Sequence, residues 1–463
     1  MDALVDLSAV ELRAALDRRE ASAVDAVSAC LAQIERSSVV NAVVTVDAEG
    51  ALARARELDA HGPCADLPLF GLPVGIKDTH TTGGLRTTYG SVRHSEHVPD
   101  HDALHVERMR AAGAIVIGKT NVPEYAAGSH SVNRVFGATR NPYALDRSAG
   151  GSSGGAAAAL AARQVALADG SDMGGSLRNP ASFCNVVGLR PSPGLVPPSE
   201  ASNFLTPLTT VGPMGRTVDD VELLLSVIGR PHTRTPVAAP QLGEPGRHVP
   251  LVGLRVAWAP DLGGRIPVEP DVLRVLESMV ALLDDNGAHV SLASPELDGA
   301  TEAFMKLRAA EFESEWGEAA DADPEDFNEL LTWNIRLGRT LSGRDIMRAQ
   351  ERQSQLMREA TRFLTEYDVL LAPAATTAPF PIDWDYPRSV AGEAQDTYLD
   401  WMRAATMITM LGTPALSLPA GFTDDGLPIG VQMVSAFGSD ARLLGTARTF
   451  ESLTGYSSHK PTL

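Results

Sequence analysis

The sequence predicts an α/β fold in which helices are layered over a sheet. Three observations carry this reading. Short apolar, strand-like runs alternate with helical stretches along the chain. Apolar residues make up 44% of the chain, the share of an ordinary globular protein, so a sizeable core can form. No internal repeat or low-complexity segment breaks the pattern, and 463 residues are enough for one large α/β domain or two to three smaller ones.

The elements follow in order. Residues 1–60 read as helical, with Leu12, Leu16, Val24, Val27 and Leu31 at helical spacing between charges. The glycine-punctuated run Leu69 to Ile76 reads as a strand that ends at Lys77-Asp78. Residues 101–112 return to a helix pattern, and Ala114 to Ile117 reads as a short buried strand. A stretch rich in glycine, serine and asparagine covers 128–155, Ala156 to Ala162 is a run of small helix formers, and a second glycine cluster covers 170–175. Residues 231–250, rich in proline and glycine, read as an exposed connector. Residues 301–367 are charged and helical, with Trp316, Trp333 and Phe363 as inward anchors of a layer over the core. Strand-like text returns at Val369 to Pro373 and at Pro414 to Leu418.

Charge and cysteine content exclude several function classes. Lys plus Arg total 39 and Asp plus Glu total 58, a net charge of −19, so a nucleic-acid partner is not expected. Cys30, Cys64 and Cys184 are odd in number and widely spaced, which suits neither a disulfide framework nor a metal knuckle. The first residues lack the basic and apolar regions of a signal peptide, and no run of about 18 apolar residues occurs. A soluble, cytoplasmic protein without membrane contact is expected.

Three motifs point elsewhere. Gly113 to Thr120 matches the phosphate-binding pattern G-x-x-x-x-G-K-T, which would make the chain a nucleotide-binding protein. Its intervening residues, Ala-Ile-Val-Ile, favour a strand over a phosphate-cradling turn. His101-Asp102-Ala103-Leu104-His105 resembles a zinc-binding helix but lacks a third ligand nearby, so two partly exposed histidines on a surface helix are expected. Gly151-Ser152-Ser153-Gly154-Gly155 satisfies G-x-S-x-G, with Ser153 as the elbow serine. The polar residues Asn141 to Ala149 before it do not make a core strand. The downstream histidines, His232, His248, His289 and His459, sit in no strongly patterned loop.

Without a histidine base, a serine nucleophile needs another proton acceptor. A lysine serves if burial holds it neutral. Lys77, at the end of an apolar strand, is the candidate, although local sequence alone also fits a surface ion pair with Asp78. Two glycine–serine clusters, Gly150 to Gly155 and Gly170 to Ser176, add to the case. Glycines beside a nucleophile free backbone N–H groups to face a developing oxyanion.

These residues resemble the amidase signature family. Gly150 to Ser192 reads GGSSGG, a run of small residues, then GSDMGGSLRNPA and GLRPS. Agreement extends to GLPVGIKD (71–78), GAIVIGKTNVPEYA (113–126), FGATRNP (136–142), GPMGRTVDDVELLL (212–225) and GTPALSLPAGFTDDGLPIGVQMV (412–434). The resemblance implies a large mixed central β-sheet sandwiched between α-helices. It divides the chain into an N-terminal helical segment (1–60), a signature core (61–230), a variable helical substrate-side region (235–365) and a C-terminal return to the core (366–463).

The resemblance also implies roles. Ser176 is the nucleophile, Ser152, after a cis peptide, is the bridging serine, and Lys77 is the base. The backbone N–H groups of Met173, Gly174, Gly175 and Ser176 form the oxyanion hole. Ser153 and Asp172 hold the loop, and Arg178 is structural or binds a substrate carboxylate. The segment Tyr125 to His130, with Tyr125, Gly128 and Ser129, lines the cleft. No cofactor or metal is implied. The expected substrate is a small amide or carbamate, and the expected assembly a monomer or homodimer. Related amidotransferase subunits acting on glutamyl-tRNA commonly carry S-I-R-Q-P-A. Here Ser176 begins S-L-R-N-P-A, and Asn179 and the acidic charge lean away from that alternative.

Overall fold

Runs of apolar and β-branched residues become the strands of one eleven-stranded mixed sheet. The computed structural model describes residues 2–198, 208–233, 235, 240–244, 246 and 248–463. In chain order the strands are β1 (Val43–Val46), β2 (Pro73–Lys77), β3 (Ile115–Thr120), β4 (Leu167–Asp172), β5 (Val187–Arg190) and β6 (Thr210–Gly215). They continue with β7 (Arg255–Trp258), β8 (His289–Leu292), β9 (Val369–Pro373), β10 (Ala415–Phe422) and β11 (Pro428–Val434). Across the sheet the order is β1-β3-β2-β4-β6-β5-β10-β11-β9-β7-β8. β2 runs parallel to both β3 and β4, while β4, β6, β5, β10 and β11 pair antiparallel in turn. β2, β3, β4, β9 and β11 are buried along their whole length, so helices and loops cover both faces.

The helices follow their caps and apolar stripes. Ser22 and Asp25 form a capping box at the start of the helix Ala23–Arg36, which buries Ala23, Ala26, Val27 and Cys30. The alanine-rich helix Gly154–Ala161 is buried on every side, which small side chains permit. The helices Ala300–Ala322, Glu329–Arg339 and Gly343–Glu366 form the layer expected between 301 and 367. Of its three aromatic anchors, Trp333 and Phe363 are half-buried against the main core, and Trp316 packs on Tyr125, Phe312 and Phe327 in a separate cluster.

Three sequence expectations are corrected. The N-terminal 60 residues are not all helical, because the β-branched run Val43-Val44-Thr45-Val46 pairs with β3. β3 runs on past Ile117 to Thr120, so Gly113 to Thr120 forms a turn and a central strand rather than a phosphate loop. Lys119 of that motif is fully buried, with Nζ donating to Thr82 Oγ1 at 2.7 Å and Thr87 Oγ1 at 3.0 Å. Half of the second glycine cluster, Gly170 to Asp172, belongs to β4. The described part of the 231–250 connector contains neither helix nor strand.

Candidate active site

β2 is apolar until its last residue, and its extension carries Lys77 into the interior, where the side chain is fully buried. Lys77 does not pair with Asp78, whose carboxylate accepts from Thr88 instead. Three hydroxyls surround Lys77 Nζ: Ser152 Oγ at 2.7 Å, Ser153 Oγ at 3.0 Å and Ser171 Oγ at 3.0 Å. Burial lowers the Lys77 pKa to about 7, against the opposing charges of Asp169 and Asp172. A neutral amine has two N–H donors and one lone pair. Ser153 and Ser171 can accept from the donors, which leaves the lone pair for the Ser152 hydroxyl.

Two loops deliver the serines. In the first, the Gly151–Ser152 peptide is cis. A Cβ at Gly151 would lie 2.9 Å from the backbone of Ser129 and His130, so only glycine fits there. In the second, β4 ends at Asp172 and the chain turns through Met173 to Leu177 into the short helix Arg178–Phe183. Gly175 turns at φ +116°, where an added Cβ would lie 2.6 Å from Ala405. Ser153 N–H donates to Ser176 O at 3.1 Å and ties the loops together.

Asp172 organises the second turn. Its carboxylate accepts Gly175 N–H at 2.8 Å, Leu177 N–H at 3.1 Å, and Arg178 Nε and Nη2 at 2.9 and 2.8 Å. Burial would raise its pKa, but Arg178 and Arg190 outweigh that and hold the carboxyl well below the usual range. Arg178 is fully buried, and its remaining N–H groups go to Ala405 O, Gln432 Oε1 and Thr409 Oγ1. It is therefore structural and has no donor left for a substrate carboxylate. The oxyanion expectation also narrows. Gly175 N–H is committed to Asp172, whereas among the described residues the amides of Met173, Gly174 and Ser176 have no acceptor.

Ser152 and Ser176 border one cavity of about 560 Å³, a size suited to a small organic molecule. Tyr125 lines it as expected, together with Met173, Leu307, Phe312 and Trp316. The Tyr125 and Trp316 ring centroids lie 4.1 Å apart. Gly128 and Ser129 line a different cavity. The backbone turns through left-handed conformations at Tyr125 and Ala126, after which Ser129 backs Gly151 and accepts from Trp401 Nε1 at 3.0 Å. Arg308 and Glu311 also reach the first cavity. Arg308 is buried against Phe312 and Tyr398, and burial pushes the Glu311 carboxyl up to about 7.

Sequence reasoning missed Ser171 and Asp169. Both lie on β4 two residues apart, the spacing that puts side chains on one face of a strand. That alternation was the available signal, hidden by Gly170 between them. The expectation of two partly exposed histidines is half right: His101 is exposed, but His105 is buried against Asp169. Among the described residues, His80, His105 and Asp169 form one group whose donor atoms converge as a metal site would require. Hydrogen bonds already join them: His80 Nδ1 and His105 Nε2 lie 2.6 and 2.8 Å from Asp169 Oδ2.

Comparison with known proteins adds the family. A family model described as Amidase matches residues 25–444. An acylamidase of Rhodococcus erythropolis is 33% identical over 477 residues, covering 98% of this chain and 97% of its own. A glutamyl-tRNA(Gln) amidotransferase subunit of Symbiobacterium thermophilum is 35% identical over 493 residues, covering 99% of each. The crystal structure of a bacterial aryl acylamidase of the amidase signature family superposes with a TM-score of 0.89 at 25% identity, over 97% of each chain. A 6-aminohexanoate cyclic dimer hydrolase complexed with substrate superposes at 0.88 with 26% identity, over 99% of each. The match runs through nearly the whole chain in sequence and in fold, and the chain belongs to the amidase signature family, enzymes that hydrolyse amide bonds.

Proposed function

We propose that the protein cleaves the C–N bond of small aliphatic or aryl amides through an acyl-enzyme on Ser176. The observation that carries this is the buried Lys77, with Nζ 2.7 Å from Ser152 Oγ beside the cavity that Ser176 borders. Neutral Lys77 takes the Ser152 proton as Ser152 takes that of Ser176, and Ser176 Oγ attacks the carbonyl carbon. The amides of Met173, Gly174 and Ser176 receive the oxyanion. The proton returns through Ser152 to the leaving nitrogen, and water then releases the acid by the same path.

The cavity wall supports an aryl group on one side of the scissile bond, since Tyr125, Phe312 and Trp316 offer ring faces there. An aryl carbamate would meet the same groups and yield carbon dioxide and an alcohol besides the amine. Amine release from a panel of aryl amides, aliphatic amides, esters and aryl carbamates tests the reading. Turnover of at least one amide is expected, and its persistence at full rate in Ser176→Ala overturns the mechanism.

A second reading is supported by the amidotransferase relatives, which match this chain as fully as the acylamidase does. In it the same serine site would supply ammonia within a larger complex. Co-purification of partner subunits and tRNA favours that reading, and turnover by the isolated chain favours the first.

A further inference from the structure

The mechanism leaves one buried group behind Lys77 unused. Asp169 is fully buried on β4, and its Oδ1 accepts the Lys77 backbone N–H at 2.6 Å. Its Oδ2 faces two imidazoles, His80 Nδ1 at 2.6 Å and His105 Nε2 at 2.8 Å. His80 follows Lys77 by three residues, and His105 comes from the helix Leu104–Ala111. Both border the cavity that holds Ser152 and Ser176.

The two buried carboxylates of this strand are partnered differently. Asp172 is bonded by the Arg178 guanidinium, with Arg190 also close. Apart from the Lys77 backbone N–H, Asp169 is met only by imidazoles among the described residues. An imidazole can donate N–H while uncharged, whereas a guanidinium always brings a positive charge. Around Lys77, the buried carboxylates Asp78, Asp169 and Asp172 are matched by the buried cations Lys119, Arg178 and Arg190. These charges therefore balance one another while Lys77 is neutral.

We infer that Asp169, bonded by two imidazoles and by no guanidinium or ammonium among the described residues, is the counter-charge for the Lys77 ammonium that forms as Ser176 attacks. The Ser176 proton passes to Ser152 and the Ser152 proton to Lys77 Nζ. A bond forms between Ser176 Oγ and the carbonyl carbon, and the C=O π pair moves onto oxygen. Asp169 gains and loses no proton. No fixed cation is bonded to its carboxylate among the described residues, and its Oδ1 also fixes the lysine backbone. Asp169 touches no substrate and is a positioning residue acting through Lys77. The charge balance agrees with the ionisation pattern. Burial holds His80 at about 4, and the Asp169 charge is the first to oppose the lowering of Lys77. Lys119 also feels Asp169, together with Asp78, Asp102 and Arg110.

The inference rests on Lys77 as the base. The test is the pH dependence of kcat/KM in Asp169→Asn, His80→Gln and His105→Gln, with thermal melting as the check on folding. In Asp169→Asn the acidic limb is expected about 1 unit or more lower, with the plateau reduced about tenfold. The two glutamine variants keep an N–H donor and add no charge, so their limb stays in place whatever their rate. A folded Asp169→Asn with an unmoved limb overturns the inference. If that variant does not fold, His80→Lys carries the test. It sets a cation against Asp169 and is expected to lower the limb, and an unmoved limb again overturns the inference. One equivalent of divalent metal in the purified protein, absent from Asp169→Asn, also overturns it in favour of a metal site. An active Ser176→Ala would overturn the serine mechanism itself, whereas an unmoved limb with Ser176→Ala inactive overturns only the role of Asp169.

Discussion

Lys77 and Lys119 stand on neighbouring parallel strands, one register step apart, and both are fully buried. Burial lowers both, to about 7 and about 8. They differ in what surrounds them. Lys119 gives its protons to His80 O, Thr82 Oγ1 and Thr87 Oγ1, with Asp78 as the first opposing charge, and it does not border the cavity. Lys77 meets serine hydroxyls, two of which, Ser152 and Ser171, border the cavity. In the proposed mechanism desolvation alone does not make a base. An outlet does: a hydroxyl that can pass a proton between the amine and the reacting atoms.

Four measurements can break or sharpen this contrast. Lys77→Ala removes the outlet, and kcat/KM is expected to fall about 10²–10⁴-fold by steady-state kinetics. Lys119→Met leaves buried acceptors without a donor, so it should cost about 1–3 kcal/mol in denaturant unfolding. If Lys119→Met instead silences a stable protein, the two lysines are not distinct in kind. The pH profile is the third. Lys77 works when neutral, so kcat/KM should rise with pH through about 7 and level off above it. Lys119→Met should keep that limb, and a displaced limb would assign the titration to the wrong lysine. The smallest effect is at the cavity wall. Trp316→Ala should weaken aryl over aliphatic preference by about 1 kcal/mol, read as a ratio of kcat/KM values.

Much of this site was legible in the sequence. Lys77, Ser152 and Ser176 could be assigned through the resemblance to the amidase signature family, which the two glycine–serine clusters and the strand before the lysine carry. Apolar residues at helical spacing marked most of the helices before 60, and charged helical text with aromatic anchors marked those between 301 and 367. What stayed hidden depends on contacts between distant parts of the chain. Asp169 lies 92 residues from Lys77 and 64 from His105, and no local pattern ties the three together. Gly170 disguised the strand that carries Asp169 and Ser171. Gly175 looked like an oxyanion donor because its loop is glycine-rich, yet Asp172 claims its amide. Gly128 and Ser129 were expected in the cleft by resemblance, and a left-handed turn separates them from Tyr125.

The split between sheet and helical layer has a practical consequence for changing this enzyme. Lys77, Ser171 and Asp169 sit on central strands or at their ends, so they move only if the sheet moves. Leu307, Phe312 and Trp316 sit on one helix of the outer layer. A combinatorial library confined to that helix can therefore explore new substrates while the strands that carry the proposed base are inherited intact.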